Sequence, residues 1–113
     1  FVNCVVEVET ELMPLALLHA TQRIERALGR RASAGPQPAA RSIDIDIVAY
    51  GQQVVNLPEL TIPHPRMAER RFVLEPLREA APEWRHPVTR LSAAEMLAAL
   101  RDNSAVRRLR SSA

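Results

Sequence analysis

Two segments of the chain alternate hydrophobic and polar residues with a period of two. Residues 1–9 read FVNCVVEVE, and residues 41–47 read RSIDIDI. This period is typical of a β-strand with one apolar and one polar face, so both segments are predicted to be strands. On the second strand the carboxylates of Asp44 and Asp46 point the same way, about 6–7 Å apart at a rise of about 3.3 Å per residue.

Between these strands the apolar residues take a helical spacing. Pro14 suits the first turn of a helix, and Gly29 is predicted to end that helix after about 15 residues. The apolar stripe of the predicted helix consists of Leu15, Leu18, Ile24 and Leu28.

The rest of the chain predicts shorter elements. Gly51 marks a tight hairpin turn, and two prolines keep residues 60–65 extended. Residues 72–77 lead into a short helix that ends near Pro82, and a capping box at residues 92–95 begins the last helix. The order strand, helix, strand, strand, helix, helix predicts the α+β class with a mostly antiparallel sheet and helices packed on it.

The composition narrows the class of protein. The 113 residues, 47% hydrophobic and 25% charged, predict one globular domain over residues 1–113. No apolar run approaches the length of a membrane span. The lone Cys4 favours a reducing cytoplasm, and its place on a strand predicts a small core residue. Net charge is only +2 and all 15 basic residues are Arg, so the choice of Arg at any one position carries little information.

The paired carboxylates are the most informative chemical feature. Two carboxylates at this distance repel each other unless a cation lies close by. Oxygen ligands on a rigid element suit magnesium that is bound together with substrate phosphates, and Arg41 could bind the same phosphates through its guanidinium. Taken alone, the pattern favours an amphipathic strand whose Asp side chains are solvated.

Several short segments of the chain, taken in their order and spacing, form a further pattern. They are Phe1-Val2-Asn3, Thr21-Gln22-Arg23-Ile24-Glu25, Gly29-Arg30, Arg41-Ser42-Ile43-Asp44-Ile45-Asp46-Ile47, Ile62-Pro63-His64-Pro65, Arg70, Phe72-Val73-Leu74-Glu75-Pro76-Leu77 and Ala81-Pro82-Glu83. Together they resemble the 6-hydroxymethyl-7,8-dihydropterin pyrophosphokinase family of folate biosynthesis, from residue 1 to about residue 100. The number and spacing of the segments make the resemblance specific, whereas the Asp pair alone does not.

The resemblance implies a ferredoxin-like α/β sandwich and a transfer of pyrophosphate from ATP, with direct attack of the pterin hydroxyl on the β-phosphorus. It implies two magnesium ions at Asp44 and Asp46, with no nucleic-acid or membrane partner. Arg30 and Arg41 match basic positions near the phosphates. The implied ATP site consists of Gln22, Glu25, Ile47, His64 and Arg70, and the implied pterin site of Phe1, Asn3 and Phe72.

The chemistry of these side chains agrees with the implied pterin site. A flat heteroaromatic ring gains about 0.5–1.5 kcal/mol from offset stacking on a Phe, beyond the area that it buries. Asn3 offers both a donor and an acceptor to the amide-like edge of a pterin. Without the resemblance, Phe72 fits a buried core position at least as well, and His64 between two prolines could cap a turn rather than contact phosphate.

The sequence departs from the family pattern in two places. The family normally has a further N-terminal part, so the chain is expected to be the C-terminal two-thirds of the family's domain, possibly fused to or followed by other folate enzymes. Residues 33–40 form a Gly/Pro/Ala-rich loop that is predicted to be mobile, and the family's Trp-Gly-Pro-Arg stretch is broken there. We expect weaker closure of this loop over ATP and slower turnover.

Two other functions stay open from the sequence. An RNA-binding module could stack single-stranded bases on Phe1 and Phe72, although the 4% aromatic content and the Asp pair disfavour it. A catalytically inactive remnant that acts as a scaffold would also keep the fold. The sequence has no Gly-rich dinucleotide turn and no His-Glu-x-x-His helix, which disfavours a dehydrogenase or a metalloprotease.

Overall fold

The computed structural model describes residues 3–33 and 43–101, with side chains described for 3–29 and 43–101. Within these ranges it contains three α-helices, a short 3-10 helix and a two-stranded antiparallel sheet. The elements are α1 (Pro14–Ser33), β1 (Val55–Leu57), β2 (Leu60–Ile62), the 3-10 helix (Met67–Glu69), α2 (Arg71–Ala80) and α3 (93–101). This mixture confirms the predicted α+β class. None of the described helices is long and apolar enough to cross a membrane.

Helix α1 is longer than the sequence predicts. It begins at Pro14, whose fixed φ and missing N–H suit the first turn, and it continues for 20 residues. The prediction that Gly29 ends this helix is therefore wrong. A glycine ends a helix when the chain turns through a positive φ, and of the two described glycines only Gly51 has one, at 55°.

The predicted N-terminal strand is wrong for the residues that the structure describes. Residues 3–10 form no strand there, and Phe1 and Val2 lie outside the described residues. Val6 and Val8 are 73% and 66% exposed, and the predicted core residue Cys4 is exposed as well. A strand is held by hydrogen bonds to a neighbouring strand, and the alternating pattern does not provide that neighbour.

The hairpin lies further along the chain than predicted. The turn at Gly51 is confirmed, because the Gln53 N–H donates to the Tyr50 carbonyl oxygen at 3.0 Å. The paired strands, however, are β1 and β2, with Val55 opposite Ile62 and Leu57 opposite Leu60. Residues 58–59 make the connection. The extended conformation predicted for residues 60–65 is confirmed for β2.

The core lies in the second half of the chain. Its buried cluster consists of Met67, Leu74, Leu77, Ala93, Met96 and Leu97. These residues belong to the 3-10 helix, α2 and α3, and Val5 and Val48 pack against them from earlier in the chain. The capping box that begins α3 is confirmed, since Ser92 and Glu95 each accept a hydrogen bond from the other's backbone N–H.

Candidate functional site

The Asp pair lies in residues 43–50, which form neither a helix nor a paired strand among the described residues. We call them the extended segment, because exposure alternates from Asp44 to Ile47 as it does along an extended chain. Residues 43–50 were predicted to begin with a strand, and that assignment is wrong for the described part of the segment. The alternation is nevertheless kept over four residues, since Asp44 and Asp46 are exposed and Ile45 and Ile47 are half-buried, whereas Ile43 before them is 50% exposed. Both carboxylates are therefore available to solvent.

Helix α1 brings Glu25 to this segment. The Ile45 N–H donates to Glu25 Oε2 at 2.7 Å, across 20 residues of sequence. Glu25 is half-buried, and Gln22, one turn earlier on the same helix, is exposed. The peptide between the two Asp residues is thus attached to α1 by a hydrogen bond to a carboxylate, which belongs to the stronger class of hydrogen bonds.

The loop after β2 reaches the other end of the same segment. The His64 N–H donates to the Val48 carbonyl oxygen at 2.8 Å. Its ring Nδ1 accepts the Arg66 N–H at 3.2 Å, which is the turn-capping contact that the sequence left open. In the neutral ring that accepts at Nδ1, the proton is on Nε2, so the outer nitrogen is a donor.

One hydrogen bond that holds the extended segment in place was not predicted from the sequence. The Tyr50 hydroxyl donates to the Leu12 carbonyl oxygen at 2.5 Å, and so connects the residues before α1 to the end of the extended segment. No local signal could have revealed this contact, because the two residues are 38 positions apart.

Arg70 and Phe72 form a second group of predicted site residues. The guanidinium carbon of Arg70 lies 5.7 Å from the centroid of the Phe72 ring, within the range of a cation–π interaction. Phe72 is 52% exposed, whereas Leu74 on the same helix is fully buried. Phe72 is therefore not a core residue, and a flat ring could reach its outer face.

Other predicted site residues cannot be placed in this arrangement. Asn3 is exposed on the segment before α1. Phe1 and Arg41 lie outside the described residues, as does most of the loop predicted at 33–40. Arg30 belongs to the backbone of α1, and its side chain is not described.

The carboxylates of Asp44 and Asp46 suit a metal ion that takes its remaining ligands from water and phosphate. Within the described residues there is no group of three or more His, Cys, Asp or Glu side chains that could enclose a metal ion. Magnesium is commonly held by one or two carboxylates and completes its shell with water and phosphate oxygens. The exposed Asp44 and Asp46 supply that kind of partial shell.

An open groove near Arg70 is a separate feature. It is lined by Arg66, Glu69, Arg70 and apolar residues that include Met96 and Leu100 of α3. Of the predicted site residues, only Arg70 borders the groove. The groove therefore does not define the candidate site.

The fold and these contacts define a mixed α+β protein in which an exposed acidic pair is attached to a helix and to a histidine-bearing loop. A family model described as 7,8-dihydro-6-hydroxymethylpterin-pyrophosphokinase matches residues 1–82. The chain belongs to this pyrophosphokinase family.

Named relatives agree with the family match. A 2-amino-4-hydroxy-6-hydroxymethyldihydropteridine pyrophosphokinase of Porphyromonas gingivalis is 48% identical over 89 residues, 77% of this chain and 60% of that protein. The enzyme of the same name in Pseudomonas aeruginosa is 45% identical over 87 residues, 77% of this chain and 52% of that protein. A folic acid synthesis protein of Pneumocystis carinii is 48% identical over 94 residues, 83% of this chain and 12% of that protein. The chain thus spans only about half of the bacterial relatives.

Proposed function

We propose that the protein transfers pyrophosphate from ATP to 6-hydroxymethyl-7,8-dihydropterin in folate biosynthesis, as a diphosphotransferase that uses magnesium. The observation that carries this proposal is the family match over residues 1–82, because those residues include every predicted site residue. The contacts that tie the Asp pair to α1 and to His64 support it.

The proposed roles follow from side-chain chemistry. Asp44 and Asp46 would hold two magnesium ions, which supply positive charge to the phosphate oxygens. Arg70 and the Nε2–H of His64 would donate hydrogen bonds to the nucleotide, as would Arg30 and Arg41 near the phosphates. Gln22 and Ile47 would line the rest of the nucleotide site, where the family resemblance also puts Glu25.

The reaction would need little covalent help from the protein. The pterin hydroxyl oxygen bonds to the β-phosphorus, the bond from that phosphorus to the oxygen of the α-phosphate breaks, and AMP leaves. Phe1, Phe72 and Asn3 would hold the pterin so that its hydroxyl faces the β-phosphorus. The hydroxyl proton passes to water, and no side-chain base is assigned.

We also propose the wider setting of the chain. Residues 1–113 would form one domain, part of a ferredoxin-like sandwich that includes the two-stranded sheet and the helices. The match to a folic acid synthesis protein of which this chain covers 12% supports fusion to other folate enzymes. The exposed thiol of Cys4 suits a reducing cytoplasm. Neither RNA binding nor an inactive scaffold is favoured by a specific contact among the described residues.

Calorimetry tests the proposed function. A non-hydrolysable ATP analogue is titrated with magnesium into wild type and into the double variant Asp44→Asn/Asp46→Asn, followed by the pterin alcohol. We expect the double variant to lose at least about tenfold in magnesium-dependent affinity, since each charged ligand contributes about 1.5–3 kcal/mol. Phe72→Ala should weaken only the pterin step, and Phe72→Tyr should retain it.

A matched control removes two charges elsewhere. Glu79 and Glu83 are exposed, and the variant Glu79→Gln/Glu83→Gln should bind the analogue as wild type does. Equal binding by wild type with magnesium and with a chelator, or no binding by the folded wild-type chain, would contradict the proposal for this chain.

A further inference from the structure

Among the described residues, the side chain of Glu25 holds the peptide between the two Asp residues. In extended chain the side chains at alternate positions share one face, and the N–H groups point sideways in the plane of the strand. Glu25 Oε2 accepts the Ile45 N–H at 2.7 Å from that side, while Asp44 and Asp46 face solvent. Glu25 therefore fixes the orientation of the peptide without entering the face that carries the Asp carboxylates.

We propose that Glu25 is a positioning residue that sets the spacing and direction of the Asp44 and Asp46 carboxylates toward a divalent cation. It acts through the backbone of Ile45 and touches neither the cation nor the nucleotide. The identity of the nucleotide rests on the proposed function, whereas the positioning of the peptide does not.

Two observations favour this role over ligation. No group of three acidic or other ligating side chains occurs among the described residues, so Glu25 is not a third member of a cation site formed by the Asp pair. The segment also has no strand partner in the described part of the chain. Because no described strand forms backbone hydrogen bonds to Ile45, the carboxylate of Glu25 is the group seen to hold this peptide.

The sequence resemblance assigns Glu25 to the ATP site instead, and the two roles give different results. A residue that contacts the nucleotide directly lowers nucleotide affinity with and without metal when it is removed. Removal of a residue that only positions the Asp pair lowers the metal-dependent part of the nucleotide affinity. It leaves the affinity measured with a chelator unchanged. The oxygen that accepts from Ile45 is already engaged, which favours the second result.

The test uses the full chain labelled with ¹⁵N, as wild type, Glu25→Ala, Glu25→Gln and the control Glu79→Gln, which makes the same substitution at an exposed helical position. Hydrogen exchange at the Ile45 amide reports the hydrogen bond. Paramagnetic broadening of the amides of residues 44–46 by Mn²⁺ reports binding of the cation alone. Affinity for the non-hydrolysable ATP analogue is measured with magnesium and with a chelator.

We expect the Ile45 amide of Glu25→Ala to exchange on the order of tenfold faster, and the Mn²⁺ concentration that broadens residues 44–46 to rise by a similar factor. Glu25→Gln keeps an acceptor oxygen and should restore part of both effects. Glu79→Gln should behave as wild type. An unchanged spectrum of α1 amides in the variants shows that the helix is intact.

Two outcomes overturn the proposal. The first is unchanged Ile45 exchange or unchanged Mn²⁺ affinity in Glu25→Ala. The second is an equal loss of nucleotide affinity with and without metal, which makes Glu25 a direct nucleotide contact. If wild type binds Mn²⁺ at residues 44–46 but not the ATP analogue, the proposed function fails and the positioning role stands. If wild type binds neither, both fail.

Discussion

Phe72 and Leu74 lie two positions apart in α2 and have opposite surroundings. Phe72 is 52% exposed with the Arg70 guanidinium over its ring, and Leu74 is fully buried in the core cluster. A large aromatic side chain that is left exposed beside a cation has little to do with holding the fold. Its position suits a surface that binds a flat ring.

We therefore expect Phe72→Ala to lower the free energy of unfolding by less than about 1 kcal/mol, which is the cost of an exposed cation–π contact. Leu74→Ala should cost about 2–5 kcal/mol, because it removes buried methyl groups and leaves a cavity. Urea unfolding followed by fluorescence of the sole tryptophan, Trp84, measures both. Equal costs would mean that Phe72 is a core residue after all.

At the scale of elements, α1 continues past its glycine, whereas the start of α3 is fixed by a capping box. A Cβ added at Gly29 meets nothing within 4 Å, and α1 runs through this position. The start of α3 is decided locally, by the reciprocal bonds of Ser92 and Glu95.

Gly29→Ala should raise the free energy of unfolding by about 0.5–1 kcal/mol, because alanine loses less backbone entropy in a helix than glycine does. Gly51→Ala is the matched control. Gly51 has a φ of 55°, so the same change there should destabilise the protein by about 1 kcal/mol or more. Thermal unfolding of the two variants gives the signs. Destabilisation by Gly29→Ala would mean that the helix ends at this glycine.

The capping box also predicts a pH dependence. The Ser92 N–H, then the Ser92 hydroxyl and the Arg85 guanidinium, hold the pKa of Glu95 below its ordinary value of 4.5. A carboxyl whose pKa is lower in the folded than in the unfolded state stabilises the fold at pH values above its unfolded-state pKa. This stabilisation is lost as the pH falls from about 4.5 through the folded-state pKa. Glu95→Gln should therefore lose less stability than wild type between pH 6 and pH 3, in thermal unfolding scans spaced at about 0.5 pH units. An unchanged slope in Glu95→Gln would show that the box is not formed in solution.

At the scale of the molecule, packing is concentrated in the second half of the chain. Helices α2 and α3 contribute Leu74, Leu77, Ala93, Met96 and Leu97 to the buried cluster. Over the part of α1 whose side chains are described, only Pro14 is buried. The helix that carries Glu25 is therefore the less firmly packed one.

We expect amide protons in the middle of α1 to exchange on the order of tenfold or more faster than those of α2, because fewer buried contacts must be broken to open the helix. Native-state hydrogen exchange followed by NMR measures this difference at each amide. Binding of the magnesium-bound ATP analogue should slow the exchange of α1 if the site forms as proposed. Equal protection of the two helices in the free chain would contradict the uneven packing.

Local signals predicted the elements that depend on near neighbours. The capping box at Ser92, the turn at Gly51 and the end of a short helix near Pro82 are formed as expected, since their hydrogen bonds join residues a few positions apart. That helix, however, begins at Arg71, before the residues that were predicted to lead into it. The strands predicted at residues 1–9 and 41–47 are not formed within the described residues. A period of two is shared by a strand and by an unpaired extended segment, and only a neighbouring chain segment distinguishes them.

The sequence by itself determined the family and the α+β class and predicted the candidate site residues, because these depend on residue types and their order. Only the tertiary structure decided how those residues meet. Glu25 contacts the peptide between the Asp residues, His64 contacts Val48, and Arg70 covers Phe72. The first two contacts join residues that are far apart in sequence, so they exist only once α1, the extended segment and the loop after β2 have come together in space.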